Sequence, residues 1–136
     1  MISLLRGLIS ARTAANVLLG VLTLLAVFHV LVALGILPAA LVWGGRATAS
    51  PLDPVLLETI SLVVTLLFAL IVVAHVGYLR SPGLRAAARY GIWLVFAYFT
   101  FNIIGNAASL SSLESLIFTP VSFVLAILAL RLALER

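Results

Sequence analysis

Long apolar runs alternate with short polar connections along this chain. The runs are Asn16–Leu37, Val55–Leu79, Tyr90–Ala108 and Leu116–Leu134. Each approaches or exceeds the roughly 20 residues that cross a hydrocarbon layer of about 30 Å as a helix. The connections hold the helix signals. Pro38 ends the first run, because proline lacks the donor a continuing helix needs and clashes one turn back. Asp53 and Pro54 read as an N-cap followed by a proline in the first helical position. Ser81-Pro82-Gly83 reads as a tight turn. Ser111-Ser112-Leu113-Glu114 fits the capping-box pattern S-x-x-E. The pattern predicts one all-α domain over residues 1–136, with spans at about 13–37, 54–79, 88–109 and 112–134. Short turns between successive spans make them antiparallel neighbours, hence an up-down-up-down four-helix bundle.

Two features near the start compete with a simple first span. Ile2, Leu5, Leu8 and Ile9 share one helical face of Met1–Thr13, as in a short helix lying in the membrane interface. Ala47-Thr48-Ala49 resembles a signal-peptide cleavage site. The apolar run before it is far longer than the roughly 7–15 residues of a signal core, which favours a retained span.

Composition supports the membrane reading. Of 136 residues, 65% are hydrophobic and 9% are charged, against about 25% charged in a soluble domain. There is no cysteine, which excludes disulfides, thiolate metal sites and cysteine nucleophiles. The net charge of +4 comes from arginines at the helix ends, with no basic patch interleaved with aromatics, so nucleic acid is not an expected partner. Under the four-span reading, Arg6, Arg12, Arg80, Arg85, Arg89, Arg131 and Arg136 fall on one side and Arg46 alone on the other. Positive charge collects on the cytoplasmic side, so both termini are expected there. The expected location is the plasma or inner membrane, with the lipid bilayer as the main partner.

Polar residues inside the spans carry the candidate chemistry, since lipid penalises them. His29, Glu58, Asn102, Asn106 and Thr119 all fall in the outer half of the membrane, below the loop that carries Trp43-Gly44-Gly45-Arg46. Trp43 lies at the depth of an interfacial anchor. Asn102 and Asn106 are one turn apart and share a helix face. Glu58 needs a partner, because an isolated buried charge is too costly, and Arg46 is the expected one. Arg46, Glu58, His29, Asn102, Asn106 and Thr119 are therefore the candidate ligand-binding residues. Each also has a structural reading: asparagines join helices, Thr119 serves the backbone freed by Pro120, Glu114 is a cap, and His75 reaches toward the interface.

At these residues the chain resembles a group of small bacterial four-span membrane proteins. The likeness is carried by Gly35-Ile36-Leu37-Pro38, Val42-Trp43-Gly44-Gly45-Arg46, Glu58-Thr59-Ile60-Ser61, Asn102 with Gly105-Asn106, and Ile117-Phe118-Thr119-Pro120. It implies the four-span architecture and no particular activity.

Three functional readings follow. The first is an accessory or structural membrane protein whose polar groups fix packing or meet a larger membrane partner. The second is a small-molecule or ion binding or transport module, with Arg46 facing an anionic group and Glu58 a cation or proton. A homodimer through Gly105-x-x-x-Ser109 would suit it. The third is an enzyme using Glu58 or His29 as acid or base. No nucleophile–base pair and no metal spacing such as H-E-x-x-H supports that reading. No catalytic residue, metal or cofactor is expected.

Overall fold

The computed structural model describes residues 7, 9–45 and 52–135. The expected interfacial helix at the start, Arg46 and the Ala47–Ala49 motif therefore lie outside the described residues or largely so. Four helices are long and apolar enough to cross a membrane: α1 Ala11–Ala33, α2 Pro54–His75, α3 Pro82–Ala107 and α4 Glu114–Ala133. They fit a small polytopic membrane protein with an all-α bundle. Each helix packs on its chain neighbour, and α1 closes the ring against α4.

The helix ends differ from the sequence expectation for local reasons. The α1 helix starts at Ala11, earlier than expected, because the Ser10 hydroxyl accepts from the Thr13 amide at 3.0 Å. It stops at Ala33 rather than Leu37. Gly35 takes φ +70 and closes the helix before Pro38 is reached. The second helix ends the same way, at His75 with Gly77 at φ +79. Glycine adopts this left-handed conformation without a Cβ clash, which makes it the usual residue just past a helix end. The α3 helix starts at Pro82, not near residue 88. Ser81 is its N-cap and Pro82 its first residue, so the expected turn is a helix start. Asp53 caps α2 as expected, accepting from the Val55 amide at 2.8 Å.

The expected capping box does not form. Ser111 donates its hydroxyl to the Leu41 carbonyl at 2.8 Å, and the Glu114 carboxylate turns toward the first loop. The α4 helix opens with a π turn over Glu114–Phe118. Pro120 explains part of it: having no N–H, it cannot close an α-type bond to Leu116. The Thr119 amide reaches back to the Glu114 carbonyl instead.

Apolar packing is concentrated in the half of the bundle nearest the termini. Ala14, Ala15, Leu18 and Leu22 of α1 meet Phe68 and Val72 of α2, Ile92, Val95 and Phe99 of α3, and Leu125 to Leu132 of α4. The alanines let the helices approach closely, as small residues do in membrane bundles. Gly91 serves the same end: a Cβ there would sit 3.1 Å from the Ile71 side chain. The outward faces are apolar, with Leu24, Phe101, Ile104 and Leu116 exposed, which suits lipid contact and not water. Polar ties close the terminal end. Arg131 is buried and donates to the Ile9 carbonyl at 2.9 Å, and Tyr78 donates to Asn16 Oδ1 at 2.7 Å.

Candidate functional site

The other half of the bundle is built differently. A cavity of about 160 Å³ lies among all four helices and the loop after α1. Glu58 is one turn into α2, with a side chain only 1% exposed. Its two oxygens take two donors. His29 Nδ1 on α1 lies 2.7 Å from Oε2, and the Trp43 indole Nε1 donates to Oε1 at 2.7 Å. A carboxylate only accepts, so His29 carries its proton on Nδ1 and Nε2 is left for another partner.

Arg46, the expected partner of Glu58, lies outside the described residues. Among those described, an imidazole and an indole satisfy Glu58. Burial demands donors for both carboxylate oxygens, and the Trp43 indole is a donor with no acceptor role. Trp43 is therefore more than an interfacial anchor.

The loop turn that brings Trp43 into place is strained. Trp43 has φ +58 and Gly44 φ +70. Two successive left-handed residues reverse the chain tightly, and a bulky residue pays for that conformation. The turn is held by the next residue too. The Gly44 amide donates to Glu114 Oε2 at 2.8 Å, and the Ser109 hydroxyl donates to the same oxygen. Adjacent loop residues thus engage two buried carboxylates, one on α2 and one on α4. Glu114 belongs to the site, where the sequence suggested only a cap.

His29, Glu58, Asn102 and Asn106 all line the cavity. Thr119 does not: its hydroxyl donates to the Glu114 carbonyl at 3.2 Å, so it serves the backbone of the π turn. Asn106 donates to Ser122 Oγ at 3.0 Å, joining α3 to α4. Asn102 donates to the Tyr98 carbonyl at 2.9 Å within α3. That carbonyl can only accept, which orients the amide and leaves Asn102 Oδ1 without a partner among the described residues. Glu114 Oε1 is in the same condition, since both of its bonds fall on Oε2.

Aromatic rings wall the rest. Phe28 meets Phe118 edge-on with centroids 5.2 Å apart, and Phe68 meets Tyr98 at 4.9 Å. These rings and Phe99 line the cavity with Trp43. The sequence missed the aromatic lining, because in lipid-facing helices a ring is equally at home outside. His75 lies at the opposite end and bonds across to α4. Its Nε2 donates to the Leu132 carbonyl on α4 at 3.0 Å.

The fold and this end of it define a four-helix membrane bundle with a small acidic, aromatic-walled cavity under a tied loop. No protein family, curated protein or solved structure matches the chain. The functional reading therefore rests on the geometry.

Proposed function

We propose that this is a multi-pass protein of the cell membrane that binds a small organic cation in the cavity at its outer end. The observation that carries the reading is the lining. Two carboxylates, a histidine and two asparagines converge with aromatic rings on one partly open cavity. Acceptors are in excess there: Glu114 Oε1 and Asn102 Oδ1 take no hydrogen bond among the described residues. Negative charge in a low dielectric calls for a compensating cation, and ring faces attract one. The size fits a small ligand. A cavity near 150 Å³ holds benzene, so about 160 Å³ suits an alkylammonium of about six heavy atoms.

The accessory reading keeps one observation in its favour. Glu58 and Glu114 both hold the Trp43–Gly44 turn, as purely structural ties would. Thermal stability of the purified protein in a maltoside detergent separates the two. Tetramethylammonium and propylammonium are expected to raise Tm relative to sodium at equal ionic strength, since a ligand of the folded state stabilises it. Asn102→Leu should remove that rise while leaving the protein folded. If no ammonium ion raises Tm above the sodium control, the binding reading fails and the accessory one stands.

A further inference from the structure

The end of the bundle that holds the termini contains a second cavity, of about 290 Å³. It lies where α1 and α3 begin and α2 and α4 end. Arg12 enters it from α1, and Arg85 and Arg89 from α3, beside His75. Among the described residues, none of these three guanidinium groups has a hydrogen bond or ion pair. Glu135 also lines the cavity, and its carboxylate is engaged by Arg131 at 2.5 Å.

One of the three is held in place. The Arg85 guanidinium lies where a side chain at Gly77 would stand: a Cβ built there would be 1.6 Å from Nη2. Gly77 follows the C-terminus of α2, where the helix dipole favours a cation. The absence of a side chain thus seats Arg85 over the end of α2, one turn from Arg89 on α3. The wall holds a further signal. His75 gives its Nε2 proton to Leu132, and its Nδ1 is a buried polar atom with no partner. Buried polar groups are normally satisfied; with the proton on Nε2, this lone pair calls for an O–H or N–H donor, such as a ligand hydroxyl, rather than for an anionic oxygen.

Three exposed like charges around one small space, with Glu135 the one acidic group of the lining, favour an anion that joins them. Guanidinium forks match the geometry of phosphate oxygens. We propose that this cavity binds a phosphate group, supplied by the headgroup of an anionic phospholipid or by free phosphate. The site is separate from the outer cavity and does not depend on the reading given to it. Anionic lipid is abundant on the cytoplasmic leaflet, where the arginine distribution puts this end.

The test uses the full chain purified in maltoside, with Tm followed at constant ionic strength set by sodium chloride. The probes are dihexanoyl phosphatidylglycerol, inorganic phosphate, and hexyl glucoside as an amphiphile without phosphate. A rise with phosphatidylglycerol but not with inorganic phosphate assigns the site to lipid. A rise with inorganic phosphate assigns it to the free ion. Arg85→Gln should weaken the apparent affinity of the responding probe about tenfold, the value of one charge-assisted hydrogen bond. Arg80→Gln removes equal charge outside this cavity and should change affinity less than about twofold. Arg89→Gln, which leaves the contact of Arg85 with Gly77 in place, replaces Arg85→Gln if that variant does not fold. The proposal is overturned if neither phosphate probe raises Tm above the chloride control, if hexyl glucoside does equally well, or if Arg80→Gln weakens binding as much as Arg85→Gln.

Discussion

Replacing His29 by Phe tests whether the end of the bundle away from the termini is built on a buried carboxylate and its donors. The substitution keeps a ring of similar shape against Phe28, whose centroid lies 5.9 Å from that of His29. It removes the Nδ1 donor 2.7 Å from Glu58 Oε2. Glu58 is 1% exposed, so water does not replace the lost partner. Breaking a buried pair costs about 3–5 kcal/mol. Two facts place this case at the low end. Trp43 still donates to the other oxygen, and His29 is itself 19% exposed. The expected loss is about 2–3 kcal/mol, close to one hydrogen bond to a charged group plus the unmet acceptor. Glu58→Gln should cost a similar amount, because an amide cannot accept from both donors with both of its ends. The double variant should cost about 2 kcal/mol less than the sum, since it no longer buries an unmatched charge. Unfolding in mixed maltoside and dodecyl sulfate micelles, followed by tryptophan fluorescence or circular dichroism, gives all four corners of the cycle. Additive losses, with a coupling below about 0.5 kcal/mol, would refute the pairing.

Two further outcomes follow from the same geometry. Glu114→Gln removes the charge that accepts from the Gly44 amide, so hydrogen exchange at Gly44 should speed up about tenfold, the equivalent of one charge-assisted bond; unchanged protection would show that the loop is held elsewhere. The arginine asymmetry predicts that a phosphatase reporter fused after Arg136 is inactive and one inserted at residues 48–51 is active, and the reverse pattern would exchange the two ends of the bundle.

The four helices were legible because lipid imposes one simple demand, some twenty apolar residues in a row. Their ends were less so. The sequence argument stopped α1 at Pro38, the stronger breaker, but Gly35 acts first because a left-handed residue closes a helix wherever it occurs. His29, Glu58, Asn102 and Asn106 were found because each is polar in an apolar run. Trp43 and Glu114 were not assigned to the site, because what places them there is distant in sequence. The Trp43–Glu58 bond spans 15 residues and the Gly44–Glu114 bond 70. The local S-x-x-E pattern suggested a cap for Glu114, but a capping box leaves a carboxylate at the surface of its own helix. The loop amide of Gly44 and the hydroxyl of Ser109 compete for it and win, helped by the π turn that begins at Glu114 itself.

That contest between local and distant partners also bears on why the polar groups gather at one end. A bundle in lipid gains little from burying apolar surface between helices, since lipid tails are as apolar as leucine. Its stability comes from close packing, and here the close packing is at the terminal end: Ala14, Ala15, Gly91 and Ala129 let four helices meet around Leu18, Ile92 and Leu132. The opposite end gives up that packing for a cavity, and a cavity weakens a bundle by the contacts it forgoes. Something must then hold the helix ends there in register. Glu58 joins α2 to α1 through His29, and Glu114 joins α4 to the loop after α1 through Gly44. Asn106 joins α3 to α4 through Ser122. These bonds tie the rim of the cavity without filling it. A protein needing only stability would replace them with apolar contacts of equal volume, which are often as stable as a buried ionic group or more so. Two carboxylates stand around an open space instead, one of them with an oxygen that takes no bond among the described residues, and the proposed cation site gives that space a use.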